Sequence, residues 1–428
     1  MGQNESIEDL LYEMVKAKAS DLYIKAGSPP VMRVGGKLTG IDNERWKERS
    51  LTPLETEALA YSLMGERQRK KFEQEMEADL AYSASGLGRF RVNIFRQRNS
   101  VAMVLRLVPF TIPPFETLNL PEVIIELAET ERGIVLATGA TGSGKSTTLA
   151  AMIDHINRTR RAHIVTIEDP IEFLHRDNLS IINQREVEMD TLSFADALRH
   201  VVRQNPDVIM IGEMRDLASL QAAMSAAETG HFVLTTMHTI DATQTIERII
   251  NFFPPHQHNH IRLQLALCLR AIISLRLLPR CDVEGGRIPA CEILIVTPLI
   301  KKLIEENKIS QIPSAIAGGG FYGMQTFNQS LVSLYQRQMI TYEEALNAST
   351  NPEEFKLNVR GIYSGKEVSM EEFITKETED EKVAKIGGKQ VMGERHHKAQ
   401  PAKKEGVGSK KSRSAILKAA DQYRDKNF

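Results

Sequence analysis

Residues 139–147 read GATGSGKST, and this stretch limits what the chain can fold into more than any other. Gly139, Gly144, Lys145 and Ser146 meet the spacing of a phosphate-binding loop, in which glycines let successive backbone N–H groups curl around a triphosphate. The expected nucleotide-binding segment is the whole run of Gly139, Ala140, Thr141, Gly142, Ser143, Gly144, Lys145, Ser146 and Thr147. Lys145 is expected on the β- and γ-phosphates and Ser146 on Mg²⁺, so the motif implies ATP and Mg²⁺. Residues 133–138 (GIVLAT) read as a buried strand entering the loop, and residues 145–157 as a helix leaving it.

Cleaving a triphosphate also calls for one carboxylate at the metal and another that orients the attacking water. Residues 208–213 (VIMIGE) end an apolar strand in Glu213, which makes it the candidate metal-side acid. Residues 167–172 (IEDPIE) gather three acids around a proline. Further apolar strands are expected at 164–167 and 232–236, and their alternation with helices predicts a mostly parallel sheet covered on both faces.

Upstream, an amphipathic helix over 6–17 is followed by alternating segments at 20–24 and 31–38 and by two stronger strands at 89–95 and 101–108. Together these predict a small α+β domain over 1–110. Thr111-Ile-Pro-Pro-Phe115 breaks all periodicity because paired prolines withhold donors, so 111–116 is read as a linker. The nucleotide-binding domain is expected over 117–365 and turns helical from about Pro255, at 261–278, 297–306, 325–336 and 341–348. A short strand pair near 274–278 and 287–295 is expected within that helical region.

Composition narrows the classes. Hydrophobic residues at 42% and charged residues at 25% describe a globular protein, and no apolar run reaches the roughly 18 residues of a spanning helix. The opening residues lack a basic segment followed by an apolar stretch, so a cytosolic location is expected. The net charge of −1 hides an asymmetry: residues 382–428 carry thirteen Lys/Arg against four Asp/Glu. The segment 366–428 is therefore read as a charged, disordered tail, with two readings left open for its basic excess: affinity for anionic lipid headgroups, or a solvated extension without a binding role. Basic and aromatic residues do not interleave as in a strand-binding groove, and nucleic acid is not an expected partner. Cys268, Cys281 and Cys291 form no CxxC pair.

The motifs, in order, resemble the secretion-type traffic ATPases, and within them the retraction ATPases of bacterial type IV pili. GATGSGKST at 139–147, TIEDPIEF at 166–173, INQREV at 182–187, DVIMIGEMRD at 207–216 and ETGHFVLTTMHT at 228–239 carry the resemblance, which spans about 7–362. It implies a PAS-like N-terminal domain before a RecA-like one, with Glu172 as the catalytic glutamate and Glu213 as the acid of the Mg²⁺ shell. His231 and His238 would lie near the γ-phosphate. The cation that offsets the charge of the transferring phosphoryl group would come from Arg91 or Arg106 of the N-terminal domain, with Arg203 beside the Glu213 strand as an alternative.

The resemblance further implies a homohexamer, an inner-membrane platform protein of the PilC kind, and a peripheral place at the inner face of the bacterial inner membrane. Pilus-assembly members commonly carry paired CxxC motifs for zinc, and their absence here points to disassembly. Residues 248–254 and 323–331 look more like the accessory retraction ATPases than the principal ones. Two roles follow as alternatives: a motor that powers retraction, or a structural partner of a paralogous motor.

Overall fold

The computed structural model describes residues 6–108, 112–283, 285–363 and 366–367. Most of the charged tail expected to be disordered, and Thr111 of the expected linker, lie outside the described residues.

Six strands, β1 (Asp21–Lys25), β2 (Val31–Val34), β3 (Lys37–Gly40), β4 (Glu77–Ala84), β5 (Gly88–Gln97) and β6 (Ser100–Val108), make an antiparallel sheet in the order β3-β2-β1-β6-β5-β4. Arg98 and Asn99 turn β5 into β6, both at positive φ (46° and 60°), which suits a two-residue hairpin. The opening helix, Ile7–Lys16, is capped by the Ser6 hydroxyl and buries Ile7, Leu10, Leu11 and Met14 against the sheet. Two helices not expected from periodicity, Pro53–Leu63 and Glu66–Glu75, complete this core. The first was signalled by its capping box, in which Thr52 and Glu55 bond reciprocally with Pro53 at the first helical position.

Seven further strands form the second sheet: β7 (Gly133–Thr138), β8 (His163–Glu168), β9 (Ile181–Glu186), β10 (Val208–Ile211), β11 (Phe232–Met237), β12 (Leu269–Pro279) and β13 (Arg287–Ile295). Their order is β13-β12-β7-β11-β10-β8-β9, parallel from β12 to β9, with β13 antiparallel at the edge. The chain is thus of the α/β class. Alternation within each strand feeds both faces. Ile134, Leu136, Ile209 and Ile211 pack on one side with helices such as Leu217–Glu228 and Ala242–Asn251. Val135, Ala137, Val208 and Met210 pack on the other with helix Lys145–Thr159.

One expected element is overturned. The helix read over 261–278 ends at Cys268, and Leu269–Pro279 is a strand paired with both β7 and β13, so the strand pair expected near 274–278 and 287–295 is present and is longer than read. A strand covered on both faces reads as a continuous apolar run, and such a run does not distinguish strand from buried helix. The two sheets and the helices after β13 belong to one compact unit that ends at Tyr363.

Candidate active site

The carboxyl ends of four neighbouring parallel strands converge on one cleft of about 470 Å³. Strand β7 delivers Gly139–Gly144, β8 delivers Asp169–Glu172, β10 delivers Glu213 and β11 delivers His238. Ligands of open α/β sheets bind at this edge because the following helices present their N-termini there.

The glycine loop runs through positive φ at Gly139, Gly142 and Gly144 (140°, 78° and 100°) into helix Lys145–Thr159. Lys145 is buried, and its Nζ donates to the carbonyls of Gly139 (2.8 Å) and Ala140 (3.0 Å). Burial pushes its ammonium below the usual range, against the pull of Glu213 and Glu172. Ser146 and Thr147 line the same cleft.

Glu213 faces this loop. Its Oε2 accepts from Arg215 Nη2 at 2.8 Å, and its Oε1 lies 3.3 Å from His238 Nε2. Burial alone would raise the carboxyl, but the Arg215 hydrogen bond and the nearby His238 outweigh it and hold it below the usual carboxylate range. Thr236 Oγ1 donates to Gly212 O at 2.6 Å and ties β11 to the turn that carries Glu213.

The loop after β8 holds Glu172 at the cleft with its side chain exposed, beyond a cis Asp169–Pro170 bond. Behind it Glu168 is buried and accepts from Thr166 Oγ1 (2.6 Å), Gln184 Nε2 (3.1 Å) and the Glu172 backbone N–H (3.3 Å). Burial outweighs those three donors and keeps its carboxyl above the usual range.

Not every expected site residue reaches the cleft. His231 precedes β11 at its amino end, where Nδ1 lies 2.9 Å from Ala226 O, so a whole strand separates it from His238. Arg203 likewise sits before β10, exposed at the amino edge. Both placements have one cause: a strand carries its two flanking residues to opposite edges of a parallel sheet, roughly 20 Å apart for six residues. Arg106 lies on β6, where its Nε donates to Asp21 Oδ1 at 2.8 Å. Arg91 is directly across from Arg106 in the register and borders a second cleft beside Asp169 and Pro170. Arg287 of β13 and His175 also line the main cleft, and sequence reasoning passed over both. No local motif marks Arg287, which reaches the site only because β13 joins the sheet through β12.

Burial also pushes the His175 imidazole down, from its ordinary 6.5 to about 4. Its Nδ1 has no hydrogen-bond partner among the described residues. Between those two pH values the unfolded chain binds a proton that the folded chain does not, so stability present above pH 6.5 falls as pH drops. His175→Gln should therefore gain about 2 kcal/mol relative to the parent on going from pH 7.5 to pH 5. Urea unfolding at both pH values checks this, and parallel shifts of the two proteins would refute it.

A phosphate loop at the carboxyl edge of a parallel sheet, faced by two acids from neighbouring strands, defines a P-loop nucleotide-binding site of the RecA-like kind. Residues 4–307 match the family model described as Type II/IV secretion system protein. The chain belongs to that family, whose members similar to it are ATPases of secretion and pili.

Among its relatives, the type IV pilus retraction ATPase PilT of Pseudomonas aeruginosa is 44% identical over 352 residues, covering 82% of this chain and 99% of its own. The type IV pilus ATPase PilU of the same organism is 43% identical over 353 residues, covering 82% and 91%. The solved structure of the pilus retraction motor PilT with bound ADP superposes with a TM-score of 0.75 at 45% identity, over 82% of this chain and 99% of that one. Resemblance to pilus retraction ATPases thus extends over most of the chain. Identity places it equally near PilT and PilU.

Proposed function

We propose that this chain is the subunit of a hexameric motor that hydrolyses ATP to power the retraction of type IV pili. The observation that carries this is the meeting of Lys145, Glu172 and Glu213 from three strands in one cleft. The retraction ATPases that the chain resembles along most of its length supply the direction of the work. The N-terminal domain, residues 1–110, moves against the nucleotide-binding domain, residues 117–365, about the linker at 111–116. The ring acts on an inner-membrane platform protein at the cytoplasmic face.

Within the cleft the roles follow from chemistry. Glycine-loop N–H groups and Lys145 hold the phosphates. Glu172 orients and deprotonates the attacking water. The Ser146 hydroxyl and the Glu213 carboxylate are hard oxygen donors lining one cleft, and they fit Mg²⁺. Held there, Mg²⁺ would supply positive charge to offset that of the triphosphate. His238 holds Glu213 in place. Arg91, on the face of the N-terminal sheet beside Asp169, supplies a cation to the reacting phosphate, within the chain or across a subunit seam.

ATP hydrolysis by the purified full chain, with its mass followed by light scattering, tests the reading. Steady turnover by a hexamer is expected, together with restored pilus retraction in cells that lack the native motor. Negligible turnover by a folded ring would overturn the motor and favour the structural partner of a paralogue.

A further inference from the structure

The loop that presents Glu172 is held through its backbone. Two successive N–H groups, those of Ile171 and Glu172, donate to two different buried carboxylates: Ile171 to Glu186 Oε2 at 3.1 Å, and Glu172 to Glu168 Oε2 at 3.3 Å. Glu168 and Glu186 are paired in register on β8 and β9, so their side chains stand together beneath the loop. Glu168 has further donors on its own sheet, Thr166 and Gln184.

Glu186 is different. It is 3% exposed, and its cation comes from the other sheet: Arg89 Nη2, on β5, lies 2.8 Å from the same Oε2 that receives Ile171. A carboxylate that far from water stays charged only when paired and hydrogen-bonded. Arg89 is itself largely buried and donates from Nη1 to Ser83 Oγ at 3.2 Å. A flanking pair, Lys71 Nζ to Glu188 Oε2 at 3.0 Å, joins the helix Glu66–Glu75 to the segment after β9 but is exposed on both sides. By the weakness of exposed ion pairs it adds little.

We infer that Glu186 is a positioning residue for Glu172, and that Arg89 links the N-terminal sheet to water activation by fixing Glu186 under the catalytic loop. This rests on the proposed role of Glu172. It adds a physical route by which movement of one domain changes hydrolysis in the other: separating the sheets removes Arg89, leaves a buried charge without its partner, and frees the Ile171 end of the loop. The glycine loop is untouched, so nucleotide binding does not change.

The test uses the full chain and steady-state kinetics of ATP hydrolysis for Glu186→Gln, Arg89→Met, their double variant, Arg89→Lys and Glu172→Gln. Misplacing a reacting group by about 1 Å costs up to about 10²-fold in rate, so a kcat loss of about tenfold or more is expected for Glu186→Gln and for Arg89→Met. KM for ATP and the affinity for a fluorescent ADP analogue should change by less than about twofold, which also shows that each variant is folded. The double variant should be no slower than the slower single, because the two residues act through one contact. Arg89→Lys should recover part of the rate.

A full rate in Glu186→Gln, or losses that multiply in the double variant, would overturn the inference. If Glu172→Gln is inactive while Glu186→Gln is not, the clamp fails and the role of Glu172 stands. If Glu172→Gln keeps its rate, that role falls and the clamp loses its target.

Discussion

Replacing Glu172 by Gln should lower kcat for ATP hydrolysis by about 10²- to 10⁴-fold, the range in which a positioned general base contributes. Glutamine is nearly isosteric and keeps the backbone N–H that donates to Glu168, so the loop geometry should survive. Nucleotide affinity depends instead on the glycine loop and Lys145, whose Nζ is held by the Gly139 and Ala140 carbonyls on the far side of the cleft. The variant is therefore expected to bind ADP as the parent does and to assemble the same ring. Single-turnover hydrolysis beside equilibrium ADP binding separates the two quantities. A variant that turns over normally would remove Glu172 from the chemistry, and one that no longer binds nucleotide would assign it to binding.

The second large effect is expected at Gly139. Its φ of +140° is strained for any residue with a Cβ. A Cβ there would also stand 2.5 Å from the Leu275 carbonyl oxygen and 2.6 Å from Ser143 Oγ. Leu275 belongs to β12, where it is paired with Cys291 of β13 and follows the last residue paired with β7, so the ladder limits how far its carbonyl can move. Gly139→Ala should thus push the start of the loop off the strand, destabilise the chain by about 1–3 kcal/mol and weaken ADP binding by at least about tenfold. Gly142→Ala provides the contrast: φ is also positive at +78°, but nothing lies within 4 Å of the added carbon. Calorimetric titration with ADP and urea unfolding of both variants make the comparison. Equal behaviour would show that the loop relaxes around the added atom.

Much of this site was legible before the coordinates. The glycine loop, the strand before it and the helix after it are contiguous, so one short motif specifies backbone path, donor placement and helix N-terminus together. Glu213 was legible for a similar reason, because it closes an apolar strand with a carboxylate, whereas Glu172, in the loop after β8, was one of three acids around a proline and was singled out by the family resemblance. The strands at 208–211 and 232–237 stood out because buried parallel strands leave short runs of branched apolar residues.

Other features resisted for physical reasons. Of the strand at 269–279 only the 274–278 end was legible, because the rest lies in a continuous apolar run that follows a helix without a turn. Helix Pro53–Leu63 carries little amphipathic contrast, and only its capping box announces it. His231 and His238 flank one strand and look like a pair in the sequence, but an extended strand carries them to opposite edges of the sheet. The Arg89–Glu186 pair had no local signal, since its partners come from different sheets.

By itself, then, the sequence determined the nucleotide loop, the two acids opposite it and the alternation of strands and helices, all of which depend on neighbours within a few residues. Tertiary structure alone decided that β12 and β13 extend the central sheet, that His231 and Arg203 face away from the cleft, and that Arg89 reaches beneath the loop of Glu172. Periodicity reports what a residue faces within its own element. Which elements lie side by side is set by packing across the whole unit, and residues far apart in the chain meet only through that order.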